Sequence, residues 1–332
     1  MSDLSTPPYA PPVLTGGVSA SRGKRRKSKR FSLLTRRDKV VLSLMVGVPA
    51  FIHIFLIWIP TIGSIVLSFT SWNGVGGLDK IKWIGFKNYD NLFHVYQPFW
   101  PAVENNLIWL AVFLCIATPL GMLLAVILDQ NLRGSRIYQS ILYMPVVLSL
   151  AIVGFIWELI YSPGMGFINN FLAAVTHDKS WVTSGTAIDW LGTRGLNFAA
   201  VLVAASWRHV GYIMVLYLAG LKSVDNTLRE AASIDGANGR QAFFRVIFPV
   251  LAPINVVVLV VTVIESLRAF DIVFIINKGL NGLGLLSVLI ANSILGEASL
   301  IGFGSAMAVI LLLISIGPII FYLYRTMREE GE

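Results

Sequence analysis

A chain of 332 residues that is 55% hydrophobic, only 13% charged and +8 in formal net charge is not composed like a soluble domain, in which about a quarter of residues are charged. The one cysteine, Cys115, lies inside an apolar run, which excludes a disulfide framework and a cysteine-rich metal site and leaves packing as its role. The apolar residues gather in runs near the ~20-residue length of a helix that crosses a hydrocarbon core, so the chain reads as an all-α, polytopic membrane protein.

Residues 1–39 precede the first such run. The first twenty are rich in Pro, Ser, Gly and Ala, and RGKRRKSKR follows at 22–30. No apolar segment with a small-residue cleavage site is present, so this reads as a disordered basic tail rather than a cleavable leader. Its charge suits the headgroups of membrane lipid, and no nucleic-acid partner is expected. GVSASRGKRR superficially resembles a phosphate-binding loop. Five residues rather than four separate Gly17 from Gly23, and Arg25 stands where a magnesium-binding hydroxyl is required.

The transmembrane domain is expected over 40–328, with six spans at about 40–69, 105–128, 138–160, 199–219, 250–274 and 303–324. Pro60 is expected to bend the long first span. The Val-rich run VVVLVVTVI at 256–264 should be helical despite its β propensity, because an open strand in lipid leaves its edges unpaired. Counted on alternate sides of the six spans, eighteen Lys and Arg fall with the N-terminus and six on the opposite side. The positive-inside rule then puts both termini and the 220–249 connection in the cytoplasm. Trp58, Trp72, Trp83 and Trp100 cluster toward the outer side, where amphipathic rings favour the interface. The two long outer connections, about 70–104 and 161–198, suit short interfacial helices; they read equally as a docking surface or as packed loops.

The 220–249 connection contains EAASIDGANGRQAFFRVIFP at 230–249. Ser223 or Asp225 is placed to cap a helix that Gly236 ends, and a second short helix follows through Gln241 to Phe248 before Pro249. Leu228, Ala231 and Ala232 recur at helical spacing, with small alanines that permit close approach, and Phe243 and Phe244 offer apolar contact. By composition alone, a packed interfacial loop explains this segment as well as a partner-binding one.

Charges also interrupt the spans. Arg208 has no acid three or four residues away, whereas Glu265, Arg268 and Asp271 recur every three residues and are expected on one helical face. A charge deep in lipid costs at least ~2.5 kcal/mol, so these groups should face protein or a wet path. They read as a structural ion-pair network or as contacts to a substrate or gate. Trp157, Tyr212, Asn255 and Asn292, together with Trp207, offer the hydrogen bonds and aromatic faces that a sugar would use. His209 reads as a packed, hydrogen-bonded histidine rather than a metal ligand.

Glu230, Ala231, Ala232, Gly236, Val246, Phe248 and Pro249 stand in a register that resembles the EAA loop of the membrane subunits of bacterial ABC importers. WNG at 72–74, GFKNYDNLF at 85–93, YMPVVLS at 143–149, LYLAGLKSV at 216–224 and SLRAFD at 266–271 extend the resemblance to the MalF-like carbohydrate-importer permeases, over nearly everything after residue 40. The resemblance implies a type I importer-like core of six transmembrane helices. It also implies that Leu228, Glu230, Ala231, Ala232, Gly236, Phe243 and Phe244 form a coupling loop seated on an ATPase. The implied partners are a second permease subunit, two ATPase subunits that use ATP and Mg, an extracytoplasmic solute-binding protein, and a sugar substrate. The chain itself is expected to bind no cofactor and to catalyse nothing. NKGLNGLG at 277–284 departs from the Thr-x-Gly-Gly-Pro-like turn common in such permeases. A secondary transporter, whose ion coupling does not account for the EAA register, and a non-transporting assembly protein are the alternative readings.

Overall fold

The computed structural model describes residues 35–130, 133–178, 180–296 and 299–329. The basic segment expected at 22–30 lies outside the described residues. The chain divides into two units, Met1–Leu56 and Ile57–Glu332. In the first, helix Arg36–His53 opens on a capping box: the Asp38 N–H donates to Thr35 Oγ1 at 3.2 Å, and the Thr35 N–H donates to Asp38 Oδ2 at 2.9 Å.

Four helical runs are long and apolar enough to cross a membrane: Arg36–Leu67, Phe99–Asp129, Leu196–Ser223 and Ile301–Ile320. Two bent pairs raise the number to six if each is one span. The first pair replaces the continuous helix expected over 138–160. Ser135–Val147 and Leu150–Ile160 meet at 102°, because Leu148 and Ser149 are extended and the Ser149 hydroxyl accepts the Ile152 N–H at 3.3 Å to start the second helix. The second pair bends by 76° at Leu251, ahead of Pro253, which has no N–H to continue the helix. The valine run lies in the helix Ala252–Leu267, as backbone hydrogen bonding in lipid requires.

Three prolines are accommodated by a shared device. Pro60, Pro119 and Pro249 each follow a five-residue π turn: Ile54–Trp58, Phe113–Ala117 and Phe243–Ile247. A proline ring clashes with the carbonyl four residues earlier, and those residues, Leu56, Cys115 and Arg245, stand at the middle of the three π turns. The extra residue per turn moves that carbonyl aside.

Within the second unit, Leu196–Ser223 is the central helix; Phe99–Asp129 and Ser135–Val147 pack along it. Close approach depends on glycine. A Cβ on Gly121 would stand 2.9 Å from Ile213, and one on Gly211 would meet the Leu142 carbonyl. Trp109, Phe113, Val201, Ile272 and Leu285 anchor one buried cluster; Leu128, Ile213, Met214, Leu221 and Leu251 anchor another. The long connections carry the short helices Lys87–His94, Phe167–Thr176 and Ser180–Thr183. Among the described residues, the only β pairing is the isolated bridge Thr70–Trp83.

Candidate functional site

The 225–250 segment is a helical hairpin built almost wholly by local hydrogen bonds. Asp225 caps the helix Asn226–Ile234 by accepting the Thr227 N–H at 2.9 Å. Hydrogen bonds from the Thr227 backbone, and then from its side chain, hold the Asp225 carboxyl below the usual carboxylate range. Ser223, the other capping candidate, instead donates to the Gly220 carbonyl at 2.7 Å. At the far end, the Gly236 N–H donates to Ser233 O at 3.1 Å and the Ala237 N–H to Ala232 O at 3.0 Å. This is a Schellman closure, and Gly236 makes it possible at φ +78°. A capping box between Asn238 and Gln241 then opens Gly239–Ala242, which runs through the π turn into Phe248–Val250.

The hairpin divides its apolar residues between two directions. Ile234 is 85% exposed, Phe244 54% and Leu228 37%, and Glu230 and Ala231 are exposed beside them. Ala232 is buried, so the close approach it permits is to its own chain. Phe243 is half-buried against the cluster of Leu128 and Leu221, and it meets Phe244 edge-on at 5.1 Å. Ile234 is the outward residue that sequence reasoning missed; its place after EAAS offered a signal only once the phase of the helix was fixed. Arg229, between Leu228 and Glu230, turns inward: Nη1 lies 2.7 Å from Asp129 Oδ2 and Nη2 donates to Leu221 O at 3.1 Å.

A second polar site lies within the apolar bundle. Arg208 and His209 on the central helix both reach Glu265: Arg208 Nη1 stands 3.3 Å from Oε1 and His209 Nδ1 stands 3.0 Å from Oε2. A carboxylate only accepts, so Nδ1 carries the imidazole proton in this contact. Nε2 faces the hydroxyls of Thr118 and Thr262 at 3.4 and 3.3 Å. The ring of His209, 1% exposed, stacks on Phe113 with centroids 4.3 Å apart. This network ties three helices together and satisfies a group that lipid would expel.

Beside the network is a cavity of about 250 Å³. Trp109, Phe113 and Phe270 supply aromatic walls, while Arg208, Glu265, Arg268 and Asp271 supply charge. Glu265, Arg268 and Asp271 do not form the single helical face that their spacing suggests. The helix ends at Leu267, Arg268 caps it, Phe270 adopts φ −129° and ψ −58°, and a new helix begins at Asp271. The three residues therefore share a cavity across a helix break, the arrangement by which irregular backbone is tolerated at membrane depth. Arg268 and Asp271 are exposed, and neither has an ion-pair partner among the described residues.

The other sequence-selected residues do not line this cavity, although Trp157 packs on the cluster of Trp109 and Phe113. Trp157 is half-buried, edge-on to Trp207 at 5.8 Å and tilted on Tyr161 at 5.2 Å. Tyr212 packs on the cluster around Leu221, and Asn255 Nδ2 donates to Phe248 O at 3.3 Å across the Leu251 bend. Ten residues of helix put Asn255 about 15 Å from Glu265. Asn292 is exposed on the short helix Leu286–Leu295. Among the described residues, no group of three His, Cys, Asp or Glu side chains is arranged to hold a metal ion.

Comparison with known proteins now bears on this geometry. The model of the family described as "Binding-protein-dependent transport system inner membrane component" matches residues 117–329, which include the hairpin and the cavity's charged residues. The chain belongs to this family. It is 31% identical over 282 residues to the "Osmoprotective compounds uptake permease protein GgtC" of Synechocystis sp., covering 84% of this chain and 96% of the relative. It is 29% identical over 290 residues to the "Xylose/arabinose import permease protein XacH" of Haloferax volcanii, covering 86% and 87%. A solved bacterial ABC transporter "involved in the import of the acidic polysaccharide alginate" superposes with a TM-score of 0.73 at 22% identity, over 88% of this chain and 96% of that one. That likeness establishes the permease fold of the type I importers. The chain is thus a multi-pass membrane permease subunit of an ABC import system, in a family of permease rather than catalytic subunits.

Proposed function

We propose that this permease carries a sugar or oligosaccharide inward, paired with a second permease, powered by two ATPase subunits and supplied by an extracytoplasmic solute-binding protein. The observation that carries the reading is the hairpin at 225–250: an EAA register closed by Gly236, with Leu228, Glu230, Ala231, Ile234 and Phe244 outward. Its exposed edge fits a groove on an ATPase, with Glu230 available to a basic group there. The excess of Lys and Arg supports a cytoplasmic placement for this hairpin and both termini. ATP and Mg belong to the partner subunits, and the permease supplies the moving gate, a two-state element that both sites bias. The xylose/arabinose relative supports a sugar as cargo.

The path runs past the cavity at the helix break. Both oxygens of Glu265 are engaged by Arg208 and His209, so this trio serves structure, whereas Arg268 and Asp271 are free to meet cargo hydroxyls between Trp109 and Phe270. The experiment is to purify the tagged chain from its native membrane and reconstitute it in proteoliposomes with whatever co-purifies. Recovery with an ATPase and a second permease, and uptake that requires ATP and the binding protein, is the expected result. Ion-driven uptake by the chain alone, or partners without any solute flux, overturns it. A sugar panel on the cognate binding protein then identifies the cargo.

A further inference from the structure

Asp129 sits where helix physics disfavours it. It is the last residue of the helix Thr118–Asp129, and a carboxylate there faces the negative end of the helix dipole. Its side chain is only 13% exposed, so water does little to offset the conflict. Arg229 resolves it, at 2.7 Å, from the first half of the hairpin helix Asn226–Ile234. The same guanidinium donates to the carbonyl of Leu221, one of the unpaired acceptors in the last turn of Leu196–Ser223. One side chain of the hairpin thus closes the ends of two bundle helices at once. Leu221, which supplies that carbonyl, and Leu128, next to Asp129, share one buried cluster, and Ala232 on the hairpin helix is buried as well.

We infer that Arg229 is the positioning residue that makes the hairpin a lever: it transmits displacement of the hairpin to the helices Phe99–Asp129 and Leu196–Ser223. The inference rests on the proposed seating of the hairpin on an ATPase. A forked guanidinium is needed because a lysine cannot engage the carboxylate and the carbonyl as a planar pair of donors. The conflict at Asp129 is a stored bias: when the hairpin is pulled away, Asp129 loses its only ion-pair partner among the described residues and its helix end becomes less stable. Displacement of the hairpin is thereby felt along the wall helix that carries Trp109 and Phe113 into the cavity.

The test uses the reconstituted complex, with uptake and ATP hydrolysis measured on the same proteoliposomes. Arg229→Ala and Asp129→Asn should each lower solute moved per ATP hydrolysed by roughly 3- to 30-fold, while the complex still assembles. Arg229→Lys should fall between these variants and the parent. The exchange of Arg229→Asp with Asp129→Arg should recover part of the ratio, because it restores the pair but not the donor to Leu221. In parallel, Ile234→Cys in a Cys115→Ser background is joined to ATPase lysines with a thiol–amine cross-linker. Cross-linking with an unchanged ratio in Arg229→Ala overturns the lever and leaves the hairpin's seating intact. Absence of cross-linking overturns the seating itself, and the lever with it. Loss of assembly in all four variants shows a purely structural tie and also overturns the lever.

Discussion

The hairpin at 225–250 and the charged cavity beside Arg208 both interrupt an apolar chain with polar residues, yet they are stabilised in opposite ways. Apart from Arg229, which reaches Leu221 and Asp129, the hairpin's donors find acceptors two to five residues away, in the Asp225 cap, the Gly236 closure and the Asn238–Gln241 box. Beside the cavity, Arg208 and His209 find Glu265 57 and 56 residues away, and the His209 ring adds threonines 91 and 53 residues distant. A locally closed element keeps its shape while it moves against a partner. A network spread over three helices reports and resists their relative motion. That division suits the proposed coupling role, in which the hairpin is the driven end and stays rigid while the interior changes.

The comparison breaks most severely at Gly236. Its backbone stands at φ +78°, whereas proline is fixed near about −65°, so Gly236→Pro removes the turn outright. ATP-dependent uptake should fall to background with the complex still in the membrane. Gly236→Asn should retain uptake, since asparagine tolerates the left-handed region and a Cβ there meets nothing within 4 Å. Full activity in the proline variant would show that the hairpin does not depend on this closure.

Next in size is Glu265→Ala, which strips the acceptor from both Arg208 and His209. It should destabilise the solubilised complex by roughly 2–3 kcal/mol in thermal denaturation, and Glu265→Gln by less, because the amide still accepts one bond. Thr262→Val is milder, about 1 kcal/mol at most, since the Thr118 hydroxyl stays within 3.4 Å of His209 Nε2. Equal losses from Glu265→Ala and Thr262→Val would mean that the network is not organised around the carboxylate.

The smallest effect concerns Asp225. Its folded carboxyl is depressed by the Thr227 hydrogen bonds, so its contribution is present above the unfolded value and is lost as pH falls through the folded one. The protection of the hairpin amides from hydrogen exchange, taken against intrinsic rates at each pH, should therefore fall below about pH 4 in the parent chain but not in Asp225→Asn, whose amide oxygen caps without titrating. Identical profiles for the two would remove the cap from the account.

Much of the hairpin was legible because its determinants lie within a few residues of one another. Gly236 and Asp225 mark a stop and a start by backbone chemistry alone, whereas the helix expected to end before Pro249 runs through it on a π turn and bends at Leu251. The direction of each side chain was not legible: Ala232 and Phe243 turn inward and Ile234 outward, and only the docked phase of the helix sets this. At the cavity, sequence spacing suggested a helical face for Glu265, Arg268 and Asp271, and the unwinding at 268–270 replaced it with a shared void. Tyr212 and Asn255 looked equally suited to a polar path, but Tyr212 packs on the cluster around Leu221 and Asn255 donates to the Phe248 carbonyl across the Leu251 bend.

The sequence alone determined the membrane class, the helical character of the valine run, the positive-inside asymmetry and the chemistry of the hairpin turn. Each follows from hydropathy or from backbone constraints acting within a few residues. Tertiary structure alone decided that Arg208 meets Glu265, that Arg229 closes two helix ends through Asp129 and Leu221, and that two expected spans are broken. Those outcomes depend on which helices pack against the central one, and helix ends and buried charges take their partners from whatever packing brings within reach.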